Sequence, residues 1–180
     1  MLHLISTLFA LVLLVGAATG TGQAAGRQEA TPTTADCATT SAAENEALVT
    51  RWYDEAINGH DVAVLDEILA EDIAHESGAF PDEPGPRFIM EALFVGFPDI
   101  TQTMDDVISA DDTVVVRWTA TGTHSGNFMG IPPTGRQFTI AGIDIHTMRG
   151  SRMAEHWHVV DQLAQMQQLG IIPQPEPLGV

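Results

Sequence analysis

A chain of 180 residues holds one domain with a sizeable core and little more. Its 24 acidic residues against 7 basic ones give a formal net charge of −17. Such a surface repels phosphate backbones and anionic lipid, which argues against nucleic acid and membrane surfaces as partners and leaves a neutral or cationic small molecule.

In chain order, residues 1–25 have the pattern of a cleavable signal peptide: an apolar run from Leu4 to Val15, short for a membrane span, then small residues with Ala24 and Ala25 suited to cleavage. The segment before the run carries His3 but no Lys or Arg, so an uncleaved anchor is the alternative. On either reading the domain works outside the cytoplasm, secreted or extracytoplasmic. The single cysteine, Cys37, excludes an internal disulfide, and Asp36 before it argues against a lipid anchor. Residues 26–43 are rich in Ala and Thr without periodicity, and read as a disordered linker.

Order is expected from SAAENEALVTRWYDEAINGHD, where Ser41 or Asn45 can cap a helix. Leu48, Val49, Trp52, Tyr53, Ala56 and Ile57 fall on one face of it, and Asn58-Gly59 stops it. His60, next in that turn, is expected in solvent. A short helix over Val62 to Leu69 follows, then EDIAHES leading into the loop GAFPDEPGP, and a third helix from Pro86 or Arg87 to GFPD. The period then changes to alternation. Strands are predicted at 100–109, 113–123, 137–148 and 152–160, with a terminal helix from Gln162 to Leu169. Three helices before a four-stranded antiparallel meander make an α+β plan, in which a curved sheet wraps the helices and leaves a conical pocket at its open end.

The stretch EHWHVVDQ, residues 155–162, concentrates the chemistry. Alternation puts His156 and His158 on one face and Trp157 on the other. The preceding strand offers Phe138, Ile140, Gly142, Asp144 and His146 on one face. A three-residue loop Arg149-Gly150-Ser151 would set Asp144 opposite His156 and Gly142 opposite His158, whereas a two-residue loop would put Asp144 on the face away from His156. Asp161 precedes QLAQMQQLG, where a helix cap belongs.

GTHSGNFMGIPPTGRQF, the hairpin RGSRMAEHWHVVDQ, GFPDI and the closing QQLG together resemble the SnoaL-like polyketide or ester cyclases of the NTF2-like superfamily, over about residues 44–172, leaving 173–180 as a tail. The resemblance implies a dimeric, cofactor-free, cone-shaped α+β fold that closes rings by intramolecular aldol condensation. It implies a pocket carboxylate as acid/base in the last strand, two positions after a histidine. That carboxylate position falls on His158, the histidine on His156, a neighbouring-strand histidine on Asp144, a glutamine on Gly142 and a loop asparagine on His75. Imidazole therefore stands where the family keeps its carboxylate, and the carboxylate stands across the hairpin.

Neutral imidazole can remove a proton beside a carbonyl and return it to the new alkoxide near neutral pH. His158 is the expected base and acid, with His156 and Asp144 as an oriented pair and His75 as a donor to the developing oxyanion. His124, His146, Gly142, Trp118, Phe128 and Met129 are the expected substrate contacts. For His124 a turn-fixing role competes, and for the large apolar residues, Trp157 among them, plain packing or a dimer interface competes. Tyr53 lies on the apolar stripe and reads as core. Two alternatives stand beside catalysis. One is a non-catalytic pocket for an apolar small molecule. The other is a metal site in which His75, His156, His158 and Asp144 hold zinc or a similar ion.

Overall fold

The computed structural model describes residues 40–76 and 85–174. The expected signal peptide, nearly all of the expected linker, most of the GAFPDEPGP loop and the end of the tail lie outside them. Ser41 opens helix α1 (Ala42–Arg51) with a reciprocal capping box: its Oγ accepts from Glu44 N, and its own N–H donates to the Glu44 carboxylate at 2.8 Å. Asn45, the other candidate cap, is buried inside the helix and donates to Asp111 O at 2.9 Å, tying α1 to the turn at Asp111.

The helix continues as a wider π-helical segment, Trp52–Asn58. Trp52, Tyr53, Ala56 and Ile57 are all buried there, as the apolar stripe predicts. Asn58 then pairs with both backbone groups of Gln102. The left-handed residue that follows is His60, at φ 54°. It is half-buried rather than solvent-exposed, because its ring stacks on Phe94 at 4.2 Å. The expected second helix is a 3-10 turn, Val62–Val64, and one α-turn, α2 (Leu65–Ile68).

At Leu69 the backbone extends. β1 (Leu69–Glu76) takes in most of EDIAHES, expected only to lead into a loop, and the sheet has five strands. The others are β2 (Thr101–Ala110), β3 (Thr113–Thr123), β4 (Gln137–Arg149) and β5 (Arg152–Val160), preceded by α3 (Pro86–Gly96) and followed by α4 (Gln162–Gln168). The order is β1-β5-β4-β3-β2, with β1 parallel to β5 and every other pair antiparallel. β1 is an edge strand, and its exposed Glu71 and Asp72 suit an edge, where charge discourages pairing with another chain. The same polarity hides its strand character in the sequence.

Alternate residues of β3 and β4 (Val114, Val116, Trp118, Ala120; Phe138, Ile140, Asp144, His146, Met148) are buried against the helices. Gly142 belongs to that face because a Cβ there would lie 2.2 Å from the Trp118 ring. The missing side chain is where the indole sits. The opposite face exposes Ile143, Ile145, Trp157 and Val159. Among the described residues no helix is long and apolar enough to cross a membrane.

Candidate functional site

The β4–β5 hairpin decides which polar groups meet. Arg149 pairs with Arg152 and Met148 with Met153, so the turn has two residues, Gly150 and Ser151, with Gly150 at φ 63°. A turn of that length alone would put Asp144 and His156 on opposite faces. A bulge at Ala154 reverses the effect: Thr147 pairs with Glu155, and Met153 and Ala154 are both buried in succession. The register then sets His146 opposite His156, Asp144 opposite His158 and Gly142 opposite Val160. The three-residue loop is thus corrected, and the cross-strand pairing with it, while all the expected groups stay on the inner face.

Asp144 is the hub. Tyr53, buried on the π-helical segment, donates its hydroxyl to Asp144 Oδ2 at 2.6 Å. The same oxygen lies 3.5 Å from His156 Nε2 and 3.9 Å from His146 Nε2. Burial by itself would raise the Asp144 carboxyl, but the adjacent His156 ring, the His146 ring and the Tyr53 hydroxyl outweigh it and hold the group below the usual carboxylate range. Burial, and then the Asp144 charge, push the Tyr53 hydroxyl far above the ordinary tyrosine value, so it stays a donor. Tyr53 is thus a partner of the site as well as part of the core.

Four imidazoles gather around this carboxylate. His146 and His156 stack at 4.8 Å with planes 5° apart, and His156 and His158 stack at 5.0 Å. The parallel pairing of β1 with β5 puts His75 beside His156, and their Nδ1 atoms lie 3.0 Å apart. Trp52 packs edge-on against His156 at 4.7 Å. His146 is fully buried, and burial, reinforced by the neighbouring His156, lowers its pKa to about 3 against the pull of Asp144. It is a neutral ring at physiological pH.

Asp144 and three of the imidazoles floor a cavity of about 350 Å³. Asp144, His75, His156 and His158 line it, as do Trp118, Phe128 and Met129 of the expected contacts, while the remaining walls are mainly apolar. His146, Gly142 and His124 do not line it. His146 lies behind His156, and Gly142 lies beneath Trp118. His124 packs against Phe97 at 5.1 Å and closes the 124–136 loop through backbone bonds with Arg136 and Gly135, the turn-fixing role. Asp161 caps α4, accepting from Ala164 N at 2.9 Å. Trp52, Gln162 and Gln165 line the cavity although nothing in the sequence marks them out from core or helix-surface positions. Among the described residues, a wider groove of about 610 Å³, bordered by Leu69, Arg87 and Phe88, has no comparable cluster.

The model of the SnoaL-like polyketide cyclases matches residues 47–169. The chain belongs to that family. The matched span includes Tyr53, His75, Asp144, His156 and His158, so the whole cavity floor is part of the SnoaL-like domain. Solved structures agree. AclR from Streptomyces galilaeus, a candidate hydroxylase, is 27% identical, with a TM-score of 0.67 over 76% of this chain and 87% of AclR. TsrD from Streptomyces laurentii is 29% identical, with a TM-score of 0.66 over 74% of this chain and 99% of its own. IdmH from Streptomyces antibioticus, a candidate polyketide cyclase, is 31% identical, with a TM-score of 0.60 over 70% and 98%. No curated protein matches the sequence. The α+β plan with a curved, mainly antiparallel sheet around N-terminal helices is the SnoaL-like, NTF2-like architecture.

Proposed function

We propose that this protein is an exported acid–base catalyst acting on an apolar, carbonyl-bearing small molecule by cyclisation, isomerisation or hydrolysis. One observation supports this above the others: a buried carboxylate, clamped by Tyr53, stands beside His156 on the floor of a mainly apolar cavity. An ionised, fixed Asp144 orients the His156 ring and stabilises positive charge arriving on it.

In this reading His158 takes the proton from the carbon beside the substrate carbonyl and leaves an enolate. His75 donates to the oxygen that gains charge, and the His156–Asp144 pair holds the neighbouring ring in place. In a cyclisation the enolate carbon adds to a second carbonyl, and the proton held on His158 goes to the new alkoxide, so no external reactant is needed. Trp118, Phe128 and Met129 offer flat and adaptable contacts to an aromatic skeleton. IdmH, as a candidate polyketide cyclase, favours ring closure. The expected export signal favours a substrate met outside the cytoplasm. The chain acts without a cofactor, and as a homodimer covering the apolar strip of Ile143, Ile145, Trp157 and Val159.

A panel of aryl ketones and aryl esters tests this reading. Trp52 and Trp118 line the cavity, so quenching of their fluorescence reports binding, and product analysis reports turnover. His158→Ala is expected to keep binding within a few-fold and to lower turnover by about 10²–10⁴. Binding without turnover in the unaltered protein would make the cavity a ligand carrier instead.

A further inference from the structure

Asp144 Oδ2 faces His156 Nε2 at 3.5 Å, so this is the ring nitrogen placed to donate toward a carboxylate oxygen. The Nδ1 of His156 is then a bare lone pair, 3.0 Å from the Nδ1 of His75. Two imidazole nitrogens at that distance share either one proton or one metal ion. Ligands of a tetrahedral ion with bonds of about 2.0–2.1 Å stand roughly 3.4 Å apart, so this pair is already near the required span. His158 supplies the third nitrogen: one ligand atom from each of His75, His156 and His158 lies within 4.8 Å of the others.

We infer that His75, His156 and His158 form a divalent-metal site of the three-imidazole type, with Asp144 as the outer carboxylate that orients His156. A ligating histidine whose other nitrogen donates to a carboxylate is the usual supporting arrangement around such ions, and here Tyr53 holds the carboxylate in turn. Three neutral nitrogens select zinc, cobalt, nickel or copper over magnesium and calcium, which prefer oxygen. The fourth position faces the cavity these three residues line. The net charge of −17 concentrates cations near the protein. A second grouping, Asp144 with His146 and His156, is fully buried, and its carboxylate already serves Tyr53, which makes it the lesser candidate.

The inference goes beyond the proton-transfer reading and does not depend on it. A seated ion takes the lone pair that His158 needs as a base, so the metal-loaded and proton-transferring states exclude each other.

Chelator-stripped protein titrated with Co²⁺, and separately with Zn²⁺ followed by elemental analysis, tests the site without any substrate. One ion per chain is expected, with the visible absorption of four-coordinate cobalt. Affinity should fall on the order of 100-fold or more in His75→Ala and in His158→Gln, and about 10–100-fold in Asp144→Asn, with circular dichroism reporting that each is folded. His60→Ala, on the far stacking pair with Phe94, should leave it unchanged. Absence of binding overturns the site. So does weak six-coordinate cobalt that all variants hold equally, which would place it on surface carboxylates. Failure here leaves aryl-ketone turnover by stripped protein untouched, so the two readings fall separately.

Discussion

Asp144→Ala is expected to be the most damaging single substitution in the cluster. It removes the acceptor of the Tyr53 hydroxyl and the partner of His156 at once, both inside the protein. Two donors stranded at about 1–3 kcal/mol each put the loss at about 2–6 kcal/mol in urea unfolding. Asp144→Asn keeps an acceptor for Tyr53 and the shape of the side chain but removes the charge. It should therefore cost less stability than Ala while turnover falls by about 10²–10⁴, and that separation is what identifies an electrostatic role. Tyr53→Phe should lose about 1.5–3 kcal/mol, since its bond ends on a charged group. Equal stability losses for Ala and Asn, with turnover intact in both, would reduce Asp144 to a packing element.

Acid should unfold the metal-free protein earlier than its carboxylates alone require. His146 has its pKa lowered to about 3, against about 6.5 for an exposed histidine. Between those values the unfolded chain binds a proton at this residue and the native protein does not. Stability therefore falls as pH drops from about 6.5 toward 3, by as much as about 1.4 kcal/mol per pH unit for this one group. Asp144 acts in the same direction lower down: held below its ordinary value in the native state, it contributes stability that is lost as pH falls below about 3.9. His146→Phe keeps a ring against Trp52 and His156 but cannot titrate. The slope of unfolding free energy between pH 6.5 and 4.5 should flatten in that variant. An unchanged slope would mean that His146 is not the group being charged.

Much of this arrangement is legible in the sequence because alternation survives wherever one strand face is buried. The inner residues of β4 follow the predicted parity from Phe138 to His146, and those of β3 alternate in the same way from Val114 to Ala120. The helical stripe of Val49, Trp52, Tyr53, Ala56 and Ile57 is likewise apolar in the sequence and buried in the fold. Ser41 and Asp161 show as caps because a short polar side chain before an apolar repeat has few other uses.

The rest depends on geometry that no local pattern carries. β1 is acidic enough to look like a loop, and only its parallel pairing with β5, distant in the chain, brings His75 to His156. The bulge at Ala154 has no residue signature, yet it decides the face of every polar group that follows it in β5. Tyr53 is indistinguishable from its apolar neighbours until Asp144 is found 2.6 Å from its hydroxyl. His124 and His146 share the chemistry of the site histidines but are sealed among core residues.

Hydrogen–deuterium exchange at the α-carbon of an aryl ketone in deuterated buffer tests the central claim most directly, because it registers proton abstraction whatever reaction follows. A ketone whose α-protons exchange slowly unaided is incubated with chelator-stripped protein, and deuterium uptake is followed by NMR. The His–Asp floor predicts uptake well above buffer in the unaltered protein, reduced about 10²–10⁴-fold in His158→Ala and in Asp144→Asn. Saturating binding of the ketone with no uptake above buffer, or uptake equal in all three proteins, would contradict it.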